Sequence, residues 1–327
     1  MGNGCTSAAD PIKGAALLEK ISSKHEKFVN TVQITSDDEY LISAGMDNTI
    51  NIWSFKDRKL IDAFKEAHSG PIWSIAIASD NKHWFSGSAD LSIKIWKLGE
   101  KKCLDTISKA HADVIQKLVL TKDDKYLLSC SHDRSIKGWD WKERSCVFTI
   151  ESAHTFPIYS LAVTSDNKYI ISGSENKSMK VWDFAEKKCI HEYNDAHLYK
   201  IPEILVTNDD KYFITFGDMD SEIKIWSLKE HKCVYTFEKP NSQDQIRAIA
   251  LSDDNKYFIS MFGNGTLKIW SLADRVCLHT FQTPKEHPGG DCVVISHNNQ
   301  YLVSALHDKT FEIYRTGLKK PKPVPQK

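Results

Sequence analysis

A short phrase that occurs seven times constrains this chain more than any other feature. Its clearest copy, Asp-Leu-Ser-Ile-Lys-Ile-Trp at residues 90–96, is a polar turn followed by an alternating strand. A period of this kind predicts one array of similar units in place of the two ordinary domains that 327 residues could form. The closing aromatic residue recurs at intervals of 43, 43, 43, 44, 44 and 44 residues, at Trp53, Trp96, Trp139, Trp182, Trp226, Trp270 and Tyr314.

Each unit contains four short runs that are typical of β-strands. In the second unit an apolar run at 72–77, a polar turn and a run at 84–88 precede the strand that ends at Trp96, and another strand begins near Cys103. Short strands joined by Asn, Asp, Ser and Gly turns predict an antiparallel meander. One such sheet is too small to bury both of its faces, so we expect the seven units to stack and close into a ring.

The two ends of the chain indicate how the ring closes. Residues 17–21 have the spacing of an outer strand, whereas the chain after Tyr314 offers no outer strand for the seventh unit. We therefore expect the N-terminal strand to complete the last sheet. The predicted organisation is a flexible leader at 1–14, the repeat array at 15–316 and a basic Pro/Lys tail at 317–327.

Composition limits the class of function. Lys and Arg together number 43 and so do Asp and Glu, so the net charge of zero gives no reason to expect a nucleic-acid partner. No stretch approaches the roughly 18 apolar residues of a membrane span, and the N-terminus lacks the apolar run of a signal peptide. We therefore expect a protein of the cytosolic side.

Five of the eight cysteines occupy one equivalent position, seven residues after a repeat tryptophan. Equivalent positions in neighbouring units would lie beyond the roughly 7 Å Cα separation that a disulfide allows. We therefore expect five reduced, small, core-facing residues of a cytosolic protein, namely Cys103, Cys146, Cys189, Cys233 and Cys277.

The repeats resemble the WD-repeat (G-protein β-like) family of seven-bladed β-propellers over about residues 15–316. The resemblance implies an all-β ring of four-stranded antiparallel blades, each with a buried network of His, Ser or Thr, Asp and Trp. Blade four has Asn176 in place of the acid, blade six lacks the histidine, and blade seven has Tyr314 in place of tryptophan. The matching residues are His25, Ser43, Asp47 and Trp53; His68, Ser86, Asp90 and Trp96; His111, Ser129, Asp133 and Trp139; His154, Ser172 and Trp182; and His197, Thr215, Asp220 and Trp226.

These histidines are tempting catalytic or metal-binding candidates, but we interpret them as scaffold. Six of the thirteen fall on the network position, where a ring nitrogen is needed to hold a carboxylate. The sequence shows no nucleophile with a base, no zinc-ligand spacing and no phosphate-binding loop. We expect no catalysis, no cofactor, no metal and no small-molecule substrate.

The resemblance also implies that partner proteins or peptides dock on the top face, around the mouth of the central channel. Trp, Tyr and Arg dominate binding hot spots, so Trp73, Tyr159 and Arg247 stand out among the residues at this mouth. The alternative is that the two aromatic residues are strand residues with high β propensity. The predicted partner-binding residues are Trp73, Tyr159, Arg247, His132, His307, Met46, Met219 and Glu175.

The N-terminus carries a separate signal. The opening Met-Gly-Asn-Gly-Cys-Thr fits the N-myristoylation pattern with Gly2 as the acceptor, and Cys5 is suitably placed for palmitoylation. One acyl chain binds membranes marginally, whereas two signals anchor stably. The basic tail could add attraction to anionic lipid, with an ordinary solubilising tail as the alternative. We expect a location on the cytosolic side of a membrane.

Three functions remain open on the sequence alone. The first is a non-catalytic scaffold or adaptor that presents partner-binding surfaces at a membrane. The second is a structural subunit of a large cytoskeletal, ciliary or other assembly, in which case the acylation motif is incidental. The third is a G-protein β-like signalling subunit, although the leader is short and unpatterned for the coiled coil that a γ-subunit partnership resembles elsewhere.

Overall fold

The computed structural model describes residues 12–219, 222–237, 245–281 and 289–321. Within these residues the chain forms 28 β-strands and no helix. The strands group into seven four-stranded antiparallel sheets, which confirms the predicted fold class. No helix in the described part of the chain has the length and apolar character needed to cross a membrane.

Six blades are built from consecutive strands, and the first strand of the chain, β1 (Ala16–Ser22), lies apart from them. Blade one contains β2 (Val29–Ile34), β3 (Tyr40–Gly45), β4 (Ile50–Ser54) and β5 (Lys59–Phe64). Blade two contains β6 (Ile72–Ile77), β7 (His83–Ser88), β8 (Ile93–Lys97) and β9 (Asp105–Ile107). Blade three contains β10 (Ile115–Leu120), β11 (Leu127–Ser131), β12 (Ile136–Asp140) and β13 (Ser145–Ile150).

The remaining blades follow the same plan. Blade four contains β14 (Ile158–Val163), β15 (Tyr169–Ser174), β16 (Met179–Asp183) and β17 (Lys188–Tyr193). Blade five contains β18 (Glu203–Val206), β19 (Tyr212–Phe216), β20 (Ile223–Ser227) and β21 (Lys232–Phe237). Blade six contains β22 (Ile246–Leu251), β23 (Tyr257–Phe262), β24 (Leu267–Ser271) and β25 (Val276–Phe281). Blade seven contains β26 (Gly290–Ile295), β27 (Tyr301–Leu306) and β28 (Thr310–Arg315).

The N-terminal strand completes blade seven, as the sequence predicts. β1 pairs antiparallel with β28 from Ala16 opposite Arg315 to Ser22 opposite Thr310. The ammonium group of Lys20 lies 2.7 Å from Asp308 across this pair. The first strand of each blade contacts that of the next, and β26 contacts β2, so the ring is closed by a strand from the opposite end of the chain.

The core lies between blades and not within them. Each of the seven apolar clusters joins residues of two neighbouring blades, one cluster at each interface. At the interface of blades one and two, for example, Trp96 packs with Ile42 and stacks on Trp84 at a ring separation of 5.0 Å. A single blade therefore leaves its faces exposed, and the ring is the smallest unit that buries them.

The cysteines on the outer strands correct one prediction. Cys146, Cys189 and Cys233 are exposed, so the expectation of core-facing thiols is wrong for these three, whereas half-buried Cys103 and Cys277 pack against the clusters between blades. A β-bulge beside the repeat tryptophan shifts the register of the outer strand in the three blades with exposed thiols, and also in blades one and six. A shift of one residue turns a side chain to the other face of the sheet. All seven cysteines within the described residues are free thiols.

Candidate functional site

The histidines form a buried network with the structural residues of their blades. In blade two, His68 Nδ1 lies 2.8 Å from Asp90 and His68 Nε2 lies 2.7 Å from the Ser86 hydroxyl. The indole N–H of Trp96 donates to the same hydroxyl at 2.8 Å. Blades one and three repeat this arrangement at His25, Ser43, Asp47 and Trp53 and at His111, Ser129, Asp133 and Trp139.

Electrostatics supports a scaffold role for these carboxylates. Burial alone would raise the pKa of Asp90, but hydrogen bonds from His68 and Ser92 outweigh it and lower the pKa. Burial would likewise raise the pKa of Asp133, but its hydrogen bonds with His111 and Ser135 and the charge of His111 lower it. Both carboxylates stay ionised and their oxygens are occupied by donors, so neither is available as an acid or base.

Blade four keeps the network without the acid. His154 Nε2 lies 2.8 Å from Ser172, whose hydroxyl accepts from the Trp182 indole at 2.9 Å. His154 Nδ1 faces the Ser178 hydroxyl at 3.1 Å, while Asn176 also bonds to Ser178. Because burial dominates, with a smaller contribution from the charge of a nearby lysine, the pKa of His154 falls to about 3. Its imidazole is therefore neutral.

The other blades depart further from the pattern. In blade five, Thr215 lies 2.8 Å from His197 Nε2 and also accepts from the indole of Trp226, while Asp220 lies outside the described residues. In blade six, Trp270 donates to Ser260 at 2.9 Å. In blade seven, the Tyr314 hydroxyl donates to Glu312 on the same strand.

The top face differs from this scaffold because its residues do not repeat. Six of the seven inner strands carry a β-bulge at their top end, and the bulged residue is the one at the channel mouth. Bulges redirect a side chain and are frequent beside binding sites. Blade five has no bulge, and Pro202 precedes its inner strand. The bulged residues are Asn30, Trp73, Gln116, Tyr159, Arg247 and Asp291.

Five top-face side chains from blades three to six form a continuous chain of contacts, which we name the four-blade cluster. The rings of His132 and Tyr159 lie 4.9 Å apart, and the Lys200 ammonium lies 4.9 Å from the centre of the Tyr159 ring. Lys200 also lies 3.2 Å from Asp218, which in turn lies 3.9 Å from Arg247. The cluster therefore joins three predicted residues through two that the prediction omitted.

The cluster and Trp73 of blade two have buried polar atoms that no group in the described residues satisfies. His132 Nε2, Arg247 Nε and the Trp73 indole nitrogen are buried and have no hydrogen-bond partner within the described part of the chain. Burial lowers the pKa of His132 and, with the charges of Glu175 and Asp218, raises that of Tyr159, so both rings are uncharged at neutral pH. Unsatisfied buried polar atoms are rare in folded proteins, so these three mark places where the packing of the top face is not optimised for internal hydrogen bonds.

An exposed apolar patch adjoins the cluster on blades four and five. Phe156, Leu198, Tyr199 and Met219 are each between 46% and 59% exposed. Hydrogen bonds bring their loops together: the Ser174 hydroxyl donates to the Phe156 carbonyl, and the Ile201 amide donates to the Ser174 carbonyl. The Asp218 amide donates to the Lys200 carbonyl at 3.1 Å. Sequence reasoning found only Met219. A signal for the others exists, because blade two has Gly70 where these blades have Phe156 and Tyr199.

The remaining predicted residues lie elsewhere on the top face. His307 Nε2 is 2.7 Å from Asp291, and its ring lies 5.1 Å from that of Phe28. Met46 and Trp73 belong to blades one and two, which do not contribute to the four-blade cluster, and both are half-buried. Glu175 is exposed on blade four, where its charge helps to raise the pKa of Tyr159.

An ion pair inside the channel escaped the sequence analysis. The Lys117 ammonium of blade three lies 2.7 Å from the Glu203 carboxylate of blade five, with both side chains about one quarter exposed. Burial would lower the pKa of Lys117, but the charge and hydrogen bond of Glu203 raise it. The equivalent residues of the other blades are small, namely Thr31, Ser74, Ser160, Ala248 and Cys292.

Among the described residues, no group of three or more His, Cys, Asp or Glu side chains could hold a metal ion. A cleft of about 700 Å³ lies between blades one and seven, but none of the predicted site residues lines it. Its walls include Asp37, Tyr40, Phe55, Arg58 and Tyr301. The functional candidate is therefore a surface, centred on the four-blade cluster.

Comparison with known proteins agrees with the repeat and the ring. Five segments match the family described as WD domain, G-beta repeat, at residues 18–54, 59–97, 101–140, 144–183 and 231–271. No curated protein matches the chain at a significant level. The five segments cover more than half of the 327 residues and include the third strand of blades one, two, three, four and six. The chain therefore belongs to the WD-repeat family of β-propeller proteins, whose members generally serve as protein-interaction scaffolds.

Proposed function

We propose that this protein is a non-catalytic scaffold that binds segments of partner proteins on its top face, at the four-blade cluster and the adjoining apolar patch. The observation that carries the proposal is the set of bulges at the channel mouth. Each bulge interrupts a strand ladder and directs a non-repeating side chain outward. The scaffold network beneath them repeats from blade to blade, whereas these residues do not.

The surface combines the features of a binding hot spot. Tyr159 and Arg247 are of the residue types that contribute most to interfaces, and both are half-buried and held by neighbours before any partner arrives. Side chains that are already ordered lose less conformational entropy on binding. The apolar patch supplies area for hydrophobic burial, and the charged side chains of Lys200, Asp218 and Arg247 beside it supply polar groups. Such a surface suits an extended peptide with apolar side chains.

Proximity labelling with the full chain tests the proposal, because it captures neighbouring proteins of any identity. We expect Tyr159→Ala/Arg247→Ala/Met219→Ala to lose a subset of labelled proteins that the wild type retains. A separate Trp73→Ala variant tests whether blade two takes part.

The matched control is Ile61→Ala/Val147→Ala/Ile190→Ala. These residues are 45% to 54% exposed, close to the 53% of Met219, but lie on outer strands. Thermal unfolding of each variant shows whether the ring is intact. Identical labelling by folded wild type and top-face variant would remove the cluster as the binding surface.

We propose in addition that the scaffold is anchored to the cytosolic face of a membrane through Gly2 and Cys5, which lie outside the described residues. The acylation pattern supports this idea. The arrangement of the ends is compatible with it, because β1 starts beside the last residue of β28, at the bottom of the ring. An anchor there would leave the top face directed into the cytosol. Lys319 and Lys320 follow on the same side.

Alkyne-myristate incorporation and membrane fractionation test the anchor directly. We expect label in the wild type and none after Gly2→Ala, with a smaller membrane fraction after Gly2→Ala or Cys5→Ser. One acyl chain gives only marginal, reversible binding, so each single change should release much of the protein. An unchanged membrane fraction in both variants would contradict the anchor and leave the top-face proposal untouched.

A further inference from the structure

The bottom of the ring is held by a chain of hydrogen bonds between hairpin turns. At five consecutive interfaces, a backbone amide of one turn donates to an Asn or Asp side chain of the next turn, at 2.7 to 3.0 Å. Each acceptor residue has a left-handed backbone with φ between 53° and 57°, which Asn and Asp tolerate well. The acceptors are Asn81, Asp124, Asn167, Asp210 and Asn255.

The interface between blades six and seven departs from this rule. Asn299 occupies the acceptor position with φ of 61°, but it is fully buried and its side chain has no hydrogen-bond partner in the described residues. The connection is made by His297 instead, whose Nδ1 lies 2.6 Å from Asp253 of blade six. At this interface a histidine side chain therefore replaces the link from a backbone amide to an Asn or Asp side chain.

His297 also reaches across the next interface, to blade one. Its Nε2 lies 3.3 Å from the Ile34 carbonyl, and its backbone amide donates to Asp38 at 2.8 Å. The Asn298 amide donates to the other oxygen of Asp38 at 2.9 Å. One residue thus links three blades, and its own blade is the one that β1 completes.

We propose that His297 is a proton-dependent latch that holds blades six, seven and one together at the bottom of the ring. Both of its ring nitrogens face acceptors, a carboxylate and a carbonyl. A neutral imidazole has one N–H and satisfies only one of them, whereas an imidazolium satisfies both.

The charged groups that face this ring are acidic. They are Asp253 on the turn between β22 and β23 and Asp38 on the turn between β2 and β3. The flanking Asn298 and Asn299 on its own turn do not titrate. Burial would lower the pKa of His297, but the hydrogen bond and charge of Asp253 outweigh it and raise the pKa above 6.5. A raised pKa agrees with the geometry, in which both ring nitrogens of His297 face acceptors.

The direction of the pH dependence follows. A histidine whose pKa is raised by folding contributes its stability fully below the unfolded value of 6.5 and loses it as the pH rises through the folded pKa. The latch is therefore closed in mildly acidic solution and weakens toward alkaline pH. The buried histidines with lowered pKa, such as His154, act in the opposite direction.

A histidine-selective ¹⁵N NMR titration of the full chain tests the latch. We expect His297 to carry protons on both nitrogens at about pH 6.5, with a midpoint above 6.5. Asp253→Asn should shift this midpoint to lower pH. A midpoint at or below 6.5, or one that Asp253→Asn leaves in place, would overturn the proposal even if no His297 variant folds.

Unfolding rates provide the second readout. We expect unfolding of the wild type to accelerate between about pH 6.5 and pH 8.5 relative to His297→Gln, because glutamine donates but does not titrate. His83→Gln is the matched control, since His83 is paired at 2.6 Å with Asp80 of its own turn and its side chain is similarly exposed, at 27% against 31%. Equal pH dependence in wild type and His297→Gln would contradict the latch.

Discussion

Single histidines behave differently from blade to blade, according to the groups beside them. His68 has a carboxylate at Nδ1, His154 has a serine hydroxyl, and His297 has a carboxylate and a carbonyl. The period of the repeat predicts where the first two lie, because it fixes their place in the blade. It does not predict His297, whose partners come from two other blades.

Asn176→Asp should make the protein less sensitive to acid. His154 binds a proton in the unfolded chain below about pH 6.5 but in the folded chain only near pH 3, so the free energy of unfolding falls as the pH drops through this window. A carboxylate beside His154 would raise the pKa of His154 in the folded chain, and so narrow the pH range over which stability is lost. Denaturant unfolding at about pH 7.5 and pH 5 measures the loss. An equal loss in both proteins would contradict this account of blade four.

The channel ion pair allows a test by double-mutant cycle. Lys117→Met leaves the Glu203 carboxylate in the channel without its partner, and we expect it to cost about 1–3 kcal/mol of unfolding free energy. The partial exposure of both side chains keeps the expected cost below that of a fully buried pair. Lys117→Met/Glu203→Leu should recover most of the loss, as measured by urea unfolding. Additive losses would show that the pair is not coupled.

At the scale of elements, strand order and closure are predictable and register is not. The outer-strand spacing of residues 17–21 predicts that β1 completes blade seven, and β1 does so. The bulges at the channel mouth and beside the tryptophans depend on how two strands align, which the sequence of one strand does not record. For this reason the direction of Cys146 was predicted wrongly, whereas its strand was predicted correctly.

Two substitutions on β1 test how the ring is closed. Ile21 packs against the core between blades seven and one, while Leu17 on the same strand is 50% exposed. Ile21→Asp would place an unpaired charge at the closure, so we expect it to cost about 1–3 kcal/mol. Leu17→Asp also replaces an aliphatic side chain with a carboxylate, and it should lower the free energy of unfolding by no more than about 0.5 kcal/mol. Equal effects in thermal unfolding would show that the β1 contact does not close the ring.

At the scale of the whole molecule, the residues that hold the ring together are distinct from the top-face residues that differ between blades. The clusters between blades and the network within them repeat around the ring, and they account for most of the motif that makes the sequence recognisable. The four-blade cluster and the apolar patch draw on loops that are distant in sequence. Their contiguity appears only after the ring places blades three to six side by side, and so Phe156, Leu198 and Tyr199 escaped the sequence analysis.

The most direct test of the scaffold proposal is site-specific photo-crosslinking in cells. A photoreactive phenylalanine analogue replaces Phe156, Tyr199 or Met219 on the top face, and Ile61, Val147 or Ile190 on the outer strands, at positions of similar exposure. We predict partner adducts from the top-face positions that disappear when Arg247→Ala is added. Adducts from the outer strands alone, with none from the top face, would contradict the proposal that partners bind at the four-blade cluster.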